Sequence, residues 1–152
     1  MGEGASGRGR DLPAGVERHL KRMRITSHKE LHVWQEAMNA AMEIFKLTKS
    51  FPNDEKYSLV DQIRSSSRSV AANIAEAWRR RRYEAAFVAK LNDADGEAAE
   101  TQTSIDISCR CQYISSATAI ALDDRYEKIM SQLVKMIAAP EAWIIKLPPR
   151  KR

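Results

Sequence analysis

From Asn53 to Ala139 the chain contains no proline and a single glycine, Gly96. The absence of breakers over so long a run favours helix. Apolar residues within it return at steps of three and four, the period of an amphipathic helix. One stripe passes through Val60, Ile63, Ser67, Val70, Ile74 and Ala77. A second passes through Phe87, Leu91, Ala94, Ala98, Thr101, Ile105 and Ser108, and a third through Leu122, Tyr126, Ile129, Leu133 and Met136. Upstream, Leu31, Trp34, Met38, Ala41, Phe45 and Thr48 trace one more, opened by Ser27 and Glu30 at the spacing of a capping box.

The corners between stripes have physical causes. Pro52 disfavours helix at Phe51. Arg79, Arg80, Arg81 and Arg82 leave no apolar face on their turn, so a helix–helix corner belongs near them. A loop near Tyr113 to Ser116 precedes the last stripe, with Ser115 or Ser116 as its cap. Pro140 ends or kinks that helix, and Trp143 to Leu147 are expected to fold back on the bundle. The fold expected is all-α: an antiparallel up-and-down four-helix bundle over residues 28–139. A flexible basic arm, 1–27, precedes it and a basic tail, 140–152, follows. The Phe87 stripe is thin, with alanine, threonine and serine where leucine is usual, which suits close backbone approach or contact with another subunit. Residues 54–82 carry seven Lys/Arg against four acids, and residues 84–110 two against six. Those helices should therefore be neighbours.

The formal charge of +5 is unevenly placed. Residues 1–28 hold six Lys/Arg against three acids, and residues 140–152 four against one, so the body between them sums to −1. Basicity lives in the tails. The longest uncharged stretch, Cys111 to Leu122, is far short of the ~20 residues that cross a bilayer. The first 28 residues hold no apolar core of a signal peptide, so a cytoplasmic protein without membrane contact is expected. Cys109 and Cys111, two apart on a helix, point to different faces, which suits neither a disulfide nor a shared metal.

Patterns with chemical meaning fare poorly. The string GEGASG matches G-x-G-x-x-G, but no strand precedes it, and a flexible arm is the better account. No Glu-x-x-His occurs, so the di-iron bundle set is missing. His28, His32 and Glu36 recur every four residues without a fourth fixed ligand. Asp93, Asp95 and Glu97 lack calcium-loop spacing, and RSSSRS lacks elbow glycines and a histidine partner. Neither metal, cofactor nor catalysis is expected. The exception in promise is Arg79, Arg80, Arg81 and Arg82, with Arg64 and Arg68 farther back and Trp78 beside them. Arginine binds phosphate through a bidentate fork, and an indole can stack on an unpaired base. An exposed corner pairing with the acidic helix is the plainer alternative.

The segments VWQEAM, LTKSFP and above all EKYSLVDQIRSSSRSVAANIAEAW resemble the four helix bundle protein family, also called the 23S ribosomal RNA intervening-sequence protein family. The likeness continues through LNDADGEAAETQ and QYIS, over about residues 28–137. It implies a homo-oligomer, a ring-like pentamer, without established enzymatic activity. A relative, the accessory variability determinant protein of diversity-generating retroelements, is a basic pentamer that binds reverse transcriptase and RNA. The chain departs from the family pattern at Ala71, where a proline is frequent, at Ala77, where a glycine is usual, and at the arginine corner. The function expected is a non-catalytic homo-oligomeric scaffold with RNA or DNA as ligand of the arginines and tails. The alternative is a protein-binding module that ignores nucleic acid and docks its partner through the thin stripe or the Trp143 region.

Overall fold

The computed structural model describes residues 11–146 and 149–151, the side chains of Arg22 and Met23 apart. Its helices are α1 (Ala14–Met23), α2 (His32–Thr48), α3 (Leu59–Arg79), α4 (Glu84–Arg110) and α5 (Ser116–Ala138), and no strand occurs among the described residues. Short 3-10 turns lie at His28–Glu30, Asn53–Glu55 and Pro140–Ala142. α2 packs on α3 and α5, and α4 on α3 and α5, so the four long helices form a closed square with α2 and α4 on one diagonal. The expected bundle is present. α1 lies inside the stretch expected to be an arm, and it makes no backbone approach to the other helices. The GEGASG string falls outside the described residues.

Three stripes go where the periodicity puts them. Every residue named above for α3, α4 and α5 is buried. α2 does not follow: its core face is Val33, Ala37, Ala40, Ile44 and Thr48, while Met38 and Met42 are 39% and 50% exposed. Trp34, Ala41 and Phe45 are only half-buried. Leu31 and Thr48, the two ends of the expected stripe, are buried, and its middle forms the outer face. α2 is apolar on two faces, and the alanine-rich face went inside because small side chains let the helix sit close to α3 and α5.

The thin stripe of α4 has the same logic. Ala94, Ala98, Thr101, Ser104 and Ser108 are buried on α4, which packs on α3, where Ser66, Ser67, Val70 and Ala71 are buried too. The Thr101 hydroxyl reaches Ser66 Oγ at 2.8 Å and Glu97 O at 2.8 Å, so these two buried hydroxyls have partners. This face is consumed within the chain. The ion pair that crosses from α3 to α4 is Glu76–Lys90, at 3.0 Å, with signs opposite to the net charges of the two helices. A surface pair of this kind adds little to stability. Packing decides this pairing.

The corners are capped in detail. The Ser27–Glu30 box forms in a shifted version: Ser27 Oγ accepts from Lys29 N at 3.2 Å, and Glu30 accepts from Thr26 N at 2.9 Å. It closes the 3-10 turn, and α2 starts afresh at His32. Glu55 accepts from Ser58 Oγ and Leu59 N to start α3. α4 ends with Gln112 in the left-handed region, φ 63°, while Tyr113 N reaches back to Ser108 O at 2.9 Å and Gln112 N to Cys109 O at 2.9 Å. That is the Schellman arrangement, which satisfies carbonyls left open at a helix end. Ser115 caps α5 through Thr118 N at 3.1 Å, as expected. The Phe51 and Tyr113 rings meet at 5.2 Å and bind the two corners at this end of the bundle.

Beyond Pro140, Trp143 and Ile144 pack against the core, and Ile145 N donates to Arg81 O at 2.9 Å. The chain does fold back. In the core, the Tyr126 hydroxyl is buried without a hydrogen-bond partner among the described residues, and desolvation raises its pKa. An unpaired buried hydroxyl costs about 1–3 kcal/mol. Tyr126→Phe is therefore expected to raise stability by about 1 kcal/mol in urea titration, and a fall in the midpoint would show that the hydroxyl is satisfied after all.

Candidate nucleic-acid interface

The arginine corner forms where the sequence puts it: α3 stops at Arg79, and α4 starts at Glu84. Arg79 in the last turn of α3 and Glu84 in the first turn of α4 both complement the helix dipoles. The four arginines nevertheless diverge. Arg81 folds back, its guanidinium 3.3 Å from the Trp78 ring centroid and its Nε donating to Trp78 O at 2.8 Å. Desolvation, and then the neighbouring Arg79 charge, lower its pKa. Arg80 lies 4.0 Å from Glu76, one turn back. Arg79 and Arg82 are exposed and belong to no ion pair among the described residues.

Trp78 corrects one expectation. It is 5% exposed, belongs to the core, and lies under Arg81. An indole so covered offers no face to a base. Arg81 is occupied as well, holding Trp78 with its side chain and the C-terminal segment with its carbonyl. The corner therefore presents two open cations, Arg79 and Arg82, and a third, Arg80, loosely paired.

Arg64 and Arg68 lie farther down α3, and the structure separates their roles. Arg64 Nε donates to Thr48 Oγ1 at 2.8 Å, and its guanidinium lies 4.8 Å from the Phe45 ring centroid. A second nitrogen donates to Phe45 O at 3.4 Å. It staples α3 to the C-terminal turn of α2. Arg68 is exposed. Arg68 and Arg79 are eleven residues apart, close to three full turns, so they share one face of α3 about 16 Å apart.

The other candidates do not assemble into a site. His28 meets Trp34 edge-on at 5.2 Å, within the 3-10 turn that separates it from α2. Asp93, Asp95 and Glu97 lie within α4, where the carboxyl of Glu97 is raised by desolvation and by Glu100 and Asp93. Among the described residues no group of three metal-ligating side chains converges. Cys109 and Cys111 are both free. No helix of the described residues is long and apolar enough to cross a membrane.

Sequence reasoning missed Tyr57 and Lys56, which adjoin Arg64 and Arg68 on the outer side of α3. Tyr57 stands in the turn before α3, outside any helical stripe, so side-chain period carries no signal for it.

A solved structure similar to this fold is that of a protein with unknown function from the S23 ribosomal protein family of Bacteroides thetaiotaomicron VPI-5482. It is 30% identical, with a TM-score of 0.63, over 70% of this chain and 95% of that one. No curated protein matches the chain. Residues 29–135, which take in the square of long helices almost entirely, match the family described as 23S rRNA-intervening sequence protein. By that match and that structural likeness, the chain belongs to the 23S rRNA-intervening sequence protein family.

Proposed function

We propose that the protein is a non-catalytic, homo-oligomeric helical scaffold that contacts RNA or DNA through its open arginines and basic tails. The observation that carries the scaffold reading is the second apolar face of α2. Met38 and Met42 stand in solvent beside half-buried Trp34 and Phe45, although the helix has already filled its place in the core. A helix apolar on two sides is built to be covered twice. A second copy of the chain is the proposed cover, and the family resemblance makes a pentamer the expected number. The thin α4 stripe and Trp143, the surfaces a protein-binding module would have used, are engaged inside the chain itself.

Nucleic acid is favoured by Arg68, Arg79 and Arg82, which are exposed and outside the ion pairs of the described residues. Unpaired guanidinium groups along α3 and at its C-terminal corner, on a body of near-zero charge, are suited to phosphate. Light scattering tests both halves. The wild type is expected at a multiple of its 17.2 kDa chain mass, and at a higher mass with added RNA. Met38→Glu together with Met42→Glu should reduce it to one chain while helical content persists. A wild type that runs as a monomer defeats the scaffold reading. Arg79→Gln with Arg82→Gln should reduce the salt slope of RNA binding by about two, one for each phosphate no longer neutralised. Binding indifferent to salt defeats the nucleic-acid reading.

A further inference from the structure

The outer side of α3 carries a groove of about 540 Å³, walled by Lys56, Tyr57, Asp61, Arg64, Arg68 and Ser69. Three cations face one carboxylate there. Arg64 is held in place by Thr48 and Phe45, so one of the three is fixed before any ligand arrives. Tyr57 is 86% exposed, more than any other large apolar side chain of the described residues. Folding gains little from a ring left in water, so its position calls for another use. Lys56 Nζ lies over one face of the ring, 5.4 Å from its centroid, and the ring is still left almost wholly in water.

We propose that this groove binds single-stranded nucleic acid, with a base stacked on Tyr57 and flanking phosphates against Arg68 and Lys56. The inference rests on the nucleic-acid reading above and deepens it by supplying the aromatic platform that Trp78 does not. Single strands fit better than duplex, because a paired base has no free face to stack, whereas exposed aromatics beside cations hold unpaired bases of any sequence. Arg79 lies about three turns along the same helix face, so a strand leaving the groove runs toward the arginine corner.

Fluorescence anisotropy with a labelled oligouridylate of about twelve nucleotides, and a duplex of equal length, tests the assignment over a range of salt. Tyr57→Ala is expected to weaken single-strand binding about ten-fold, the scale of one base–aromatic stack, with the salt slope unchanged because no cation is removed. Tyr57→Phe should bind as the wild type does. Arg68→Gln should lower the slope by about one. Thermal melts confirm that these surface variants remain folded. Tyr57→Ala binding as tightly as the wild type, or a wild type that prefers duplex, overturns the groove and leaves the arginine corner standing. A wild type that binds neither probe at low salt overturns both.

Discussion

Trp78→Ala is expected to lower the unfolding free energy by about 3–5 kcal/mol, the usual cost of removing a buried large aromatic. The ring is 5% exposed within the main core, at the last turn of α3. Its loss would also strand Arg81, whose guanidinium lies against the ring at 3.3 Å and whose carbonyl holds Ile145. A half-buried cation–π contact contributes about 1 kcal/mol, so Arg81→Gln should cost far less than the tryptophan change. Urea titration followed by circular dichroism, at one fixed protein concentration, checks the ordering. Near-wild-type stability for Trp78→Ala would show that the indole is not a core residue. At temperatures where both proteins are folded, oligonucleotide affinity should be the same for wild type and Trp78→Ala.

Leu91→Ala should cost about 2–5 kcal/mol, toward the upper end. Leu91 is 0% exposed on a core face that is small between it and Ile105, with Ala94 and Ala98 as its next buried neighbours toward the C-terminus. How much of the cavity remains decides the cost, and this seam has little means of closing. Ala94, Ala98 and Thr101 already bring α4 close to α3, and the Thr101–Ser66 hydrogen bond at 2.8 Å fixes the separation. The same titration measures it. A loss below about 1 kcal/mol would mean that the helices slide inward and that the seam is softer than its packing suggests.

The arginine corner shows how residue type and residue role come apart. Four adjacent arginines read identically along the chain, and they do not share partners. Arg81 is claimed by the indole, Arg80 by Glu76, and Arg79 and Arg82 by neither. A guanidinium beside a buried aromatic loses less hydration than an ammonium would, which makes Arg81 a suitable lid. The candidate set thereby shifts, with Trp78, Arg64 and Arg81 spent on structure and Tyr57 brought in.

The helical class, the seams of α3, α4 and α5, and the corners at Pro52 and Arg80 were determined by local chemistry alone. Proline geometry, side-chain period and a turn without apolar residues act within a few positions of the chain, so they are legible in it. The inner face of α2 was not. Val33, Ala37, Ala40 and Ile44 repeat at the same spacing as Trp34, Met38, Ala41 and Phe45, and period alone cannot choose between two apolar faces. Contact with α3 and α5 chose the one with smaller side chains, because close packing of three helices excludes the bulkier stripe. The burial of Trp78 was likewise a tertiary outcome, set by its place in the core cluster, while the Arg81 cover three residues on is a local contact.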